Sequence, residues 1–204
     1  MNKLTAKREV TNEGQNTIDL SKPYRVEVTI QGIADILFHR WSCEDVEAKG
    51  KASKGSTAKK TDNIESYVYR CPDNTIGIPG EYFRQAILNA AKFLQDPRSP
   101  RKSAMDLYKA GVQSLTDLAS LNKIIWDLLH QCRVTIQRNS ITRTRPCLLK
   151  GWKATFILLI ALPEYIPIEV LSSVITDAGR LIGLGDFRPT YGRFSLINIK
   201  KLEN

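Results

Sequence analysis

Apolar and polar residues alternate along residues 24–38, where Val26, Val28 and Ile30 share one face of a predicted strand. Gly32 interrupts this alternation and predicts a break or a bulge in the strand. Further strands are predicted at residues 66–70, 133–136, 153–162 and 194–199. The strand at 153–162 is apolar on both faces, which favours a central position in its sheet.

Two segments show the spacing of apolar residues that is typical of an amphipathic helix. The first runs from Glu81 to about Gln95 and directly follows a Pro-Gly pair. The second follows Pro167, a residue well suited to the first helical position, and ends at Gly183 or Gly185. Between the first helix and residue 129, a basic stretch rich in proline is followed by one or two short predicted helices, which we interpret as an insertion.

Without the insertions, the order of elements is strand, helix, strand, strand, helix, strand. This order predicts an α+β fold of the ferredoxin-like (RRM-like) βαββαβ type, with two helices on one face of the sheet and the other face free. We expect a flexible N-terminal arm at residues 1–22 and a single domain at 23–204. The domain would carry a basic loop at 42–64, a helical insertion at 96–130 and a thumb-like β-hairpin at 137–152.

The charge balance favours a polyanionic partner. The chain has 30 Lys and Arg against 21 Asp and Glu, a net charge of +9, which favours nucleic acid over an acidic membrane. A basic surface that serves only solubility is the alternative. The four cysteines form no CxxC pair, and no signal peptide or membrane-length apolar run is present, so we expect a cytoplasmic protein with reduced thiols and with no metal or other cofactor.

Residues 133–153 carry basic side chains without a single acidic one. Threonine, serine and asparagine lie between them, together with Trp152, whose ring can stack on a base. This composition predicts contact with a nucleic-acid backbone, while the alternative is a solvated basic face on a hairpin. The basic residues are Arg133, Arg138, Arg143, Arg145, Lys150 and Lys153.

The segment from residue 183 to 194, GLGDFRPTYGRF, places Gly183, Gly185 and Gly192 where a backbone can pass close to a ligand. Arg188 and Arg193 bracket it. Consecutive backbone N–H groups in such a loop can hold a phosphate. Helix caps and tight turns use glycine in the same way, so an ordinary turn is the alternative.

Few residues are candidates for catalysis. His39, followed by Arg40 at the start of the basic loop, is a candidate general acid or base for RNA cleavage. His130 is better suited to a capping or core role. Asp62 and Glu65 are candidates for holding a metal near a bound strand, with two solubilising acids as the alternative.

Three segments together resemble the RAMP superfamily, the ferredoxin-like RNA-binding subunits of CRISPR effector complexes in antiviral defence. Residues 78–87, IPGEYFRQAI, are similar to that family's IPGSSLRGAL signature at the start of the first helix. Residues 183–194 are similar to its glycine-rich loop, with one glycine fewer in the second half. Residues 141–146, ITRTRP, lie where the family's backbone subunits carry a thumb hairpin.

The resemblance implies a backbone subunit that polymerises along guide RNA (crRNA), because each signature occurs once and the processing endoribonucleases carry two such units. It implies that the first helix, the glycine-rich loop and the thumb hold phosphates of the guide. The residues in question are Arg84, Arg188, Arg193, Arg143 and Arg145. In members that cut target RNA, an Asp precedes a short strand, and here Glu65 stands before that strand with Asp62 nearby.

We therefore hypothesise a guide-RNA-binding subunit without catalytic activity. Its partners would be guide RNA, a nucleic-acid target recognised by base pairing, other effector subunits, and further copies in a head-to-tail array. A metal-independent endoribonuclease that uses His39, and a subunit mimic that inhibits effector assembly, are the alternatives. The predicted RNA-binding residues are Arg40, Arg84, Arg138, Arg143, Arg145, Lys150, Trp152, Gly183, Gly185, Arg188, Gly192 and Arg193.

Overall fold

The computed structural model describes residues 22–41, 47, 50, 51, 63–136 and 139–203. The predicted N-terminal arm and most of the predicted basic loop therefore lie outside the described residues, as do Asp62 and Arg138. In chain order the strands are β1 (Tyr24–Gly32), β2 (Ile36–Leu37), β3 (Tyr69–Arg70), β4 (Ile76–Pro79), β5 (Gln95–Asp96), β6 (Ser99–Ser103), β7 (Val112–Ser114), β8 (Leu118–Ser120), β9 (Leu128–Ile136), β10 (Asn139–Leu148), β11 (Lys153–Ile160) and β12 (Phe194–Leu202). The helices are α1 (Gly80–Ala90), α2 (Met105–Gly111) and α3 (Ile168–Asp177).

A four-stranded sheet with the order β12-β1-β11-β7 forms the centre of the fold. Each pair of neighbouring strands is antiparallel. The alternation predicted for β1 is present, because Val26, Val28 and Ile30 are fully buried while Glu27 and Thr29 between them are partly exposed. The architecture is therefore a mixed α+β fold.

The helices α1 and α3 contribute to the core on the buried side of this sheet. Phe83 of α1 stacks on Phe156 of β11, with ring centroids 4.3 Å apart, and Phe156 lies opposite Val28 in the sheet register. Leu171 and Ile175 of α3 are fully buried in the same cluster. Burial of these aromatic and aliphatic side chains is the main source of stability for this arrangement.

Three smaller sheets surround the central one, with the orders β2-β10-β9, β3-β4-β8 and β5-β6. The β9–β10 hairpin pairs from Leu128 opposite Cys147 to Ile136 opposite Asn139. It occupies the region where the sequence predicts a thumb-like hairpin at 137–152, and its first strand starts earlier, at Leu128.

The predicted helical insertion at 96–130 differs from the structure. It contains one helix of seven residues, α2, together with β6, β7, β8 and the start of β9. The strands β7 and β8 pair with distant segments, as Ser114 does with Leu158 and Ala119 with Ile78, whereas β6 pairs with the neighbouring β5. Pairing with distant segments leaves no alternation of apolar residues within the segment itself, and for this reason the local spacing of apolar residues predicted helices there.

Two other segments differ in detail from the strands that the sequence predicts. The strand predicted at 66–70 begins as a 3₁₀ helix, Glu65–Tyr67, and becomes extended only at β3. The strand β11 is internal in its sheet, as expected, but its burial alternates, because Ile157 and Leu159 on its second face are partly exposed. Among the described helices, none combines the length and apolar character needed to cross a membrane.

Candidate nucleic-acid interface

A pocket of about 340 Å³ lies between the first turns of α1, the segment after β2 and the loop before β12. We call it the tyrosine pocket because Tyr67, Tyr69 and Tyr82 line it, and we call residues 183–193 the glycine loop. Four of the residues predicted to bind RNA or to catalyse cleavage meet at this pocket: His39, Arg40, Gly185 and Arg188. They come from segments that are at least 145 residues apart in the chain, from Arg40 to Gly185.

The glycine loop is fixed in place by backbone hydrogen bonds to the segment around β2. The N–H of Asp186 donates to the carbonyl of Leu37 at 2.9 Å, and the N–H of Gly192 donates to that of Asp35 at 2.7 Å. Gly185 has φ +79°, and a Cβ there would lie 2.5 Å from the Leu37 oxygen. Glycine is therefore required at this position so that the loop can approach β2.

The backbone N–H groups of the glycine loop are largely used inside the protein. Besides Asp186 and Gly192, Gly183 donates to Ala178 and Leu184 donates to Gly192, each at 2.9 Å. The loop therefore presents charge to solvent through side chains, because Arg188 and Arg193 are both exposed. An anion bound here would be held by guanidinium groups.

Aromatic side chains line the pocket beside the predicted cations. The rings of Tyr69 and Tyr82 meet edge to face with centroids 5.9 Å apart, and their hydroxyl oxygens are 3.1 Å apart. The guanidinium carbon of Arg40 lies 5.2 Å from the Tyr69 ring centroid. Burial, and then the hydrogen bond with Tyr69, raise the pKa of Tyr82 to about 12, so its hydroxyl stays protonated at neutral pH.

These three tyrosines were not predicted as site residues, although the sequence contains a signal for them. Tyr67 and Tyr69 are two residues apart in the segment that leads into β3, and Tyr82 lies in the first turn after the Pro-Gly pair of α1. Rings placed next to cationic side chains in this way are typical of single-stranded nucleic-acid sites.

Arg145 joins the β9–β10 hairpin to the glycine loop. Its side chain is 4% exposed, and its Nε donates to Oδ2 of Asp186 at 2.8 Å. Its guanidinium carbon lies 5.0 Å from the centroid of the Tyr67 ring. The same Asp186 oxygen lies 3.8 Å from Nδ1 of His39, so this carboxylate connects the hairpin, the loop and the pocket.

Arg84 and Trp152, two other predicted RNA-binding residues, make internal contacts. Arg84 donates from Nε to the carbonyl of Val112 and from Nη2 to that of Lys109, each at 2.7 Å. It thereby satisfies carbonyls at the C-terminal end of α2. Trp152 is 6% exposed, and its Nε1 donates to the carbonyl of Ala34 at 2.9 Å.

The other candidates lie outside the pocket lining. Arg143 is partly exposed on β10, and Lys150 and Arg193 are exposed.

Glu65 accepts a hydrogen bond from Nε of Arg70 at 2.8 Å. His130 lies on β9, where its Nε2 is 2.9 Å from the Tyr191 hydroxyl of the glycine loop. Within the described residues, no cluster of three or more histidine, cysteine or acidic side chains could hold a metal.

A second groove, of about 570 Å³, continues from the tyrosine pocket along the glycine loop. The two share Gly185, Asp186 and Arg188. Lys92 and Phe93, which is 69% exposed, lie in the 3₁₀ turn that follows α1 and line this groove. The pocket and the groove together form one concave surface with basic and aromatic side chains along it.

No protein-family model matches this chain, and no curated protein matches it. Among solved structures, 98 chains match. One belongs to the cryo-EM structure of the type III-B Cmr-beta bound to cognate target RNA, with a TM-score of 0.52 and 13% identity over 89% of this chain. The match covers 61% of the other chain, so the present chain spans about three fifths of that length. The likeness therefore concerns the fold.

Proposed function

We propose that this chain is a guide-RNA-binding subunit of a CRISPR effector complex, built on a ferredoxin-like unit of the RAMP type. The order β12-β1-β11-β7, antiparallel throughout, supports this because a split βαβ unit places its third strand between the first and the second. The second strand is β7, and not the strand predicted at 133–136, which lies in the β9–β10 hairpin. The likeness in fold to a chain of the type III-B Cmr-beta structure supports it as well. The guide RNA would pair with the target, and the protein would hold the guide.

The observation that carries the proposal is the tyrosine pocket. Arg40 and Arg188, from opposite ends of the chain, flank a cavity lined by three tyrosines, next to the start of α1. Single-stranded RNA is commonly bound by this combination of cationic side chains for phosphates and rings for bases. A net charge of +9 adds a long-range attraction for the same ligand.

Salt dependence tests this proposal. We expect single-stranded RNA to bind with an affinity that falls steeply as the salt concentration rises, because bound phosphates release counterions. Arg40→Ala and Arg188→Ala should each reduce the slope of log K against log salt by about 0.7. Fluorescence anisotropy over a salt series measures both quantities.

Arg25→Ala is the matched control, because Arg25 is exposed and lies at the end of β1 that is farthest from the segment entering the pocket. It should leave the slope unchanged. A purified protein that carries no nucleic acid and binds no RNA even at low salt would contradict the proposal.

The position of His39 favours a second candidate, a metal-independent endoribonuclease. Its side chain is 34% exposed and its Nδ1 is 3.8 Å from the Asp186 carboxylate, so an accessible imidazole lines the pocket, as a general acid or base requires. Incubation with repeat RNA in EDTA separates the two candidates. Discrete products that disappear in His39→Ala would favour the enzyme, and intact RNA would favour the binding subunit.

A further inference from the structure

We infer that the tyrosine pocket holds one unstacked nucleobase of the bound strand, while Arg40 and Arg188 at its rim hold the flanking phosphates. This inference rests on the proposed function and specifies which part of the RNA enters the cavity. The volume of about 340 Å³ falls within the range of about 300 to 1,000 Å³ that is typical of small-molecule sites. The pocket is therefore large enough for a discrete ring system.

The walls of the pocket suit a flat apolar ring better than a phosphate. Most of the lining is aliphatic or aromatic, with Ile36, Leu37 and Ile78 buried beneath the tyrosines. The one acidic side chain in the lining, Asp186, is 30% exposed. Its charge is paired with Arg145, and the remaining lone pairs of the carboxylate can accept a hydrogen bond from an N–H group at a base edge.

Two side chains offer flat surfaces to a base. Tyr82 is 37% exposed and is held in place through its hydroxyl contact with Tyr69. Arg40 is exposed and lies over the Tyr69 ring, so its guanidinium plane continues the aromatic surface. Bases that are taken out of a stack are commonly bound between such rings and guanidinium planes.

The cations lie where the ribose-phosphate chain would pass. Arg188 is exposed and belongs to both the pocket and the adjoining groove. A strand that follows this concave surface can therefore place a phosphate at Arg188 and direct the attached base into the pocket. Neighbouring bases remain outside, available for pairing with a target.

Nucleotide binding to the full-length protein tests the inference directly. We expect AMP, GMP, CMP or UMP to bind saturably in isothermal titration calorimetry, and ribose 5-phosphate, which lacks a base, to bind at least about tenfold more weakly. Tyr82→Ala should weaken nucleotide binding by about tenfold. Tyr82→Phe, which retains the ring and loses only the hydroxyl contact with Tyr69, should bind more tightly than Tyr82→Ala. Tyr165→Ala is the matched control, because Tyr165 is similarly exposed, at 39%, and does not line the pocket.

The same variants distinguish this inference from the proposed function. In RNA binding, Tyr82→Ala should lower the affinity by about tenfold with no change in the salt slope, because it removes a stacking surface and no phosphate contact. Equal binding of ribose 5-phosphate and nucleotides, or a reduced salt slope in Tyr82→Ala, would overturn the base pocket. If RNA still bound with steep salt dependence and Tyr82→Ala had no effect, the base pocket would be wrong and the proposed function would stand.

Discussion

Gly192 and Gly151 both have left-handed backbones, with φ of +74° and +101°, but their surroundings differ. A Cβ at Gly192 would lie 1.7 Å from the carbonyl oxygen of Leu184, whereas a Cβ at Gly151 would meet nothing within 4 Å. Gly151→Ala should therefore cost only the backbone strain, about 1 kcal/mol. Gly192→Ala adds a clash with the backbone of the glycine loop.

We predict that Gly192→Ala lowers the free energy of unfolding by at least about 2 kcal/mol more than Gly151→Ala does. Urea denaturation of both variants, followed by circular dichroism, measures the difference. Equal destabilisation would show that the loop can move away from the added methyl group, and that Gly192 serves only the turn.

The phenol of Tyr24 predicts how stability changes at alkaline pH. Tyr24 is 5% exposed and donates to the carbonyl of Ile166 at 2.6 Å. Burial, and then the charge of Glu169, raise its pKa to about 12, while an unfolded tyrosine titrates near 10. The stabilising effect of the neutral phenol is therefore complete below about pH 10 and is lost as the pH rises toward about 12.

We expect the free energy of unfolding to fall across this window by up to about 1.4 kcal/mol per pH unit for this one group. Tyr24→Phe should be less stable at neutral pH, because it loses the hydrogen bond, and should show a shallower decline above pH 10. Urea denaturation at a series of pH values measures both effects. Parallel profiles for the two proteins would rule out Tyr24 as a cause of the decline.

The structural roles of several candidate residues could not be predicted from the sequence. A basic stretch has the same composition whether its side chains face solvent or pack against another segment. The partner of Arg145, Asp186, is 41 residues away, and the partner of Trp152, Ala34, is 118 residues away. Only the folded chain shows that these side chains connect elements.

At the scale of elements, the connection between the β9–β10 hairpin and the glycine loop leads to the next prediction. Arg145→Ala removes the ion pair with Asp186 and its contact with the Tyr67 ring. Because Asp186 stays partly exposed, at 30%, we expect a loss of about 2 kcal/mol in stability. RNA affinity should fall without a change in the salt slope, since no phosphate contact is removed.

Arg143→Ala on the same strand provides the comparison, because Arg143 is partly exposed. It should leave stability nearly unchanged and reduce the salt slope by about 0.7 if it contacts a phosphate. A reduced slope in Arg145→Ala would mean that Arg145 leaves Asp186 to bind RNA. A double-mutant cycle with Asp186→Asn should give a coupling energy of about 1 to 3 kcal/mol.

Elements were predictable where the pattern that specifies them is local. The apolar alternation of β1 and the apolar spacing of α1 and α3 lie within single segments, and those elements start at nearly the predicted residues but end five or more residues earlier, at Gly32, Ala90 and Asp177. The strands β5 to β8 are two to five residues long. Distant partners specify β7 and β8, and a short window of sequence contains no record of them, whereas β5 and β6 pair with each other within residues 95–103.

At the scale of the whole molecule, the proposed function requires contacts between copies that are not related by two-fold symmetry. A subunit that repeats along a strand must use two unlike surfaces, one for each neighbour, and such contacts extend without closing. Opposite ends of the concave surface, at the tyrosine pocket and at Phe93, would then face successive segments of the same RNA. A symmetric dimer uses one surface twice and stops at two copies.

We therefore predict that the number of bound copies rises by one at regular increments as a single-stranded RNA is lengthened one nucleotide at a time. Each added copy requires a full site on the strand, so the steps should be of equal length and independent of the RNA sequence. Native mass spectrometry of the complexes counts the copies. Arg25→Ala should reproduce the steps of the unmodified protein, while Arg188→Ala should need a lower salt concentration to form the same complexes. A copy number that stays constant as the RNA grows would contradict head-to-tail assembly, and it would leave the tyrosine pocket as the RNA site of a subunit that occurs once per complex.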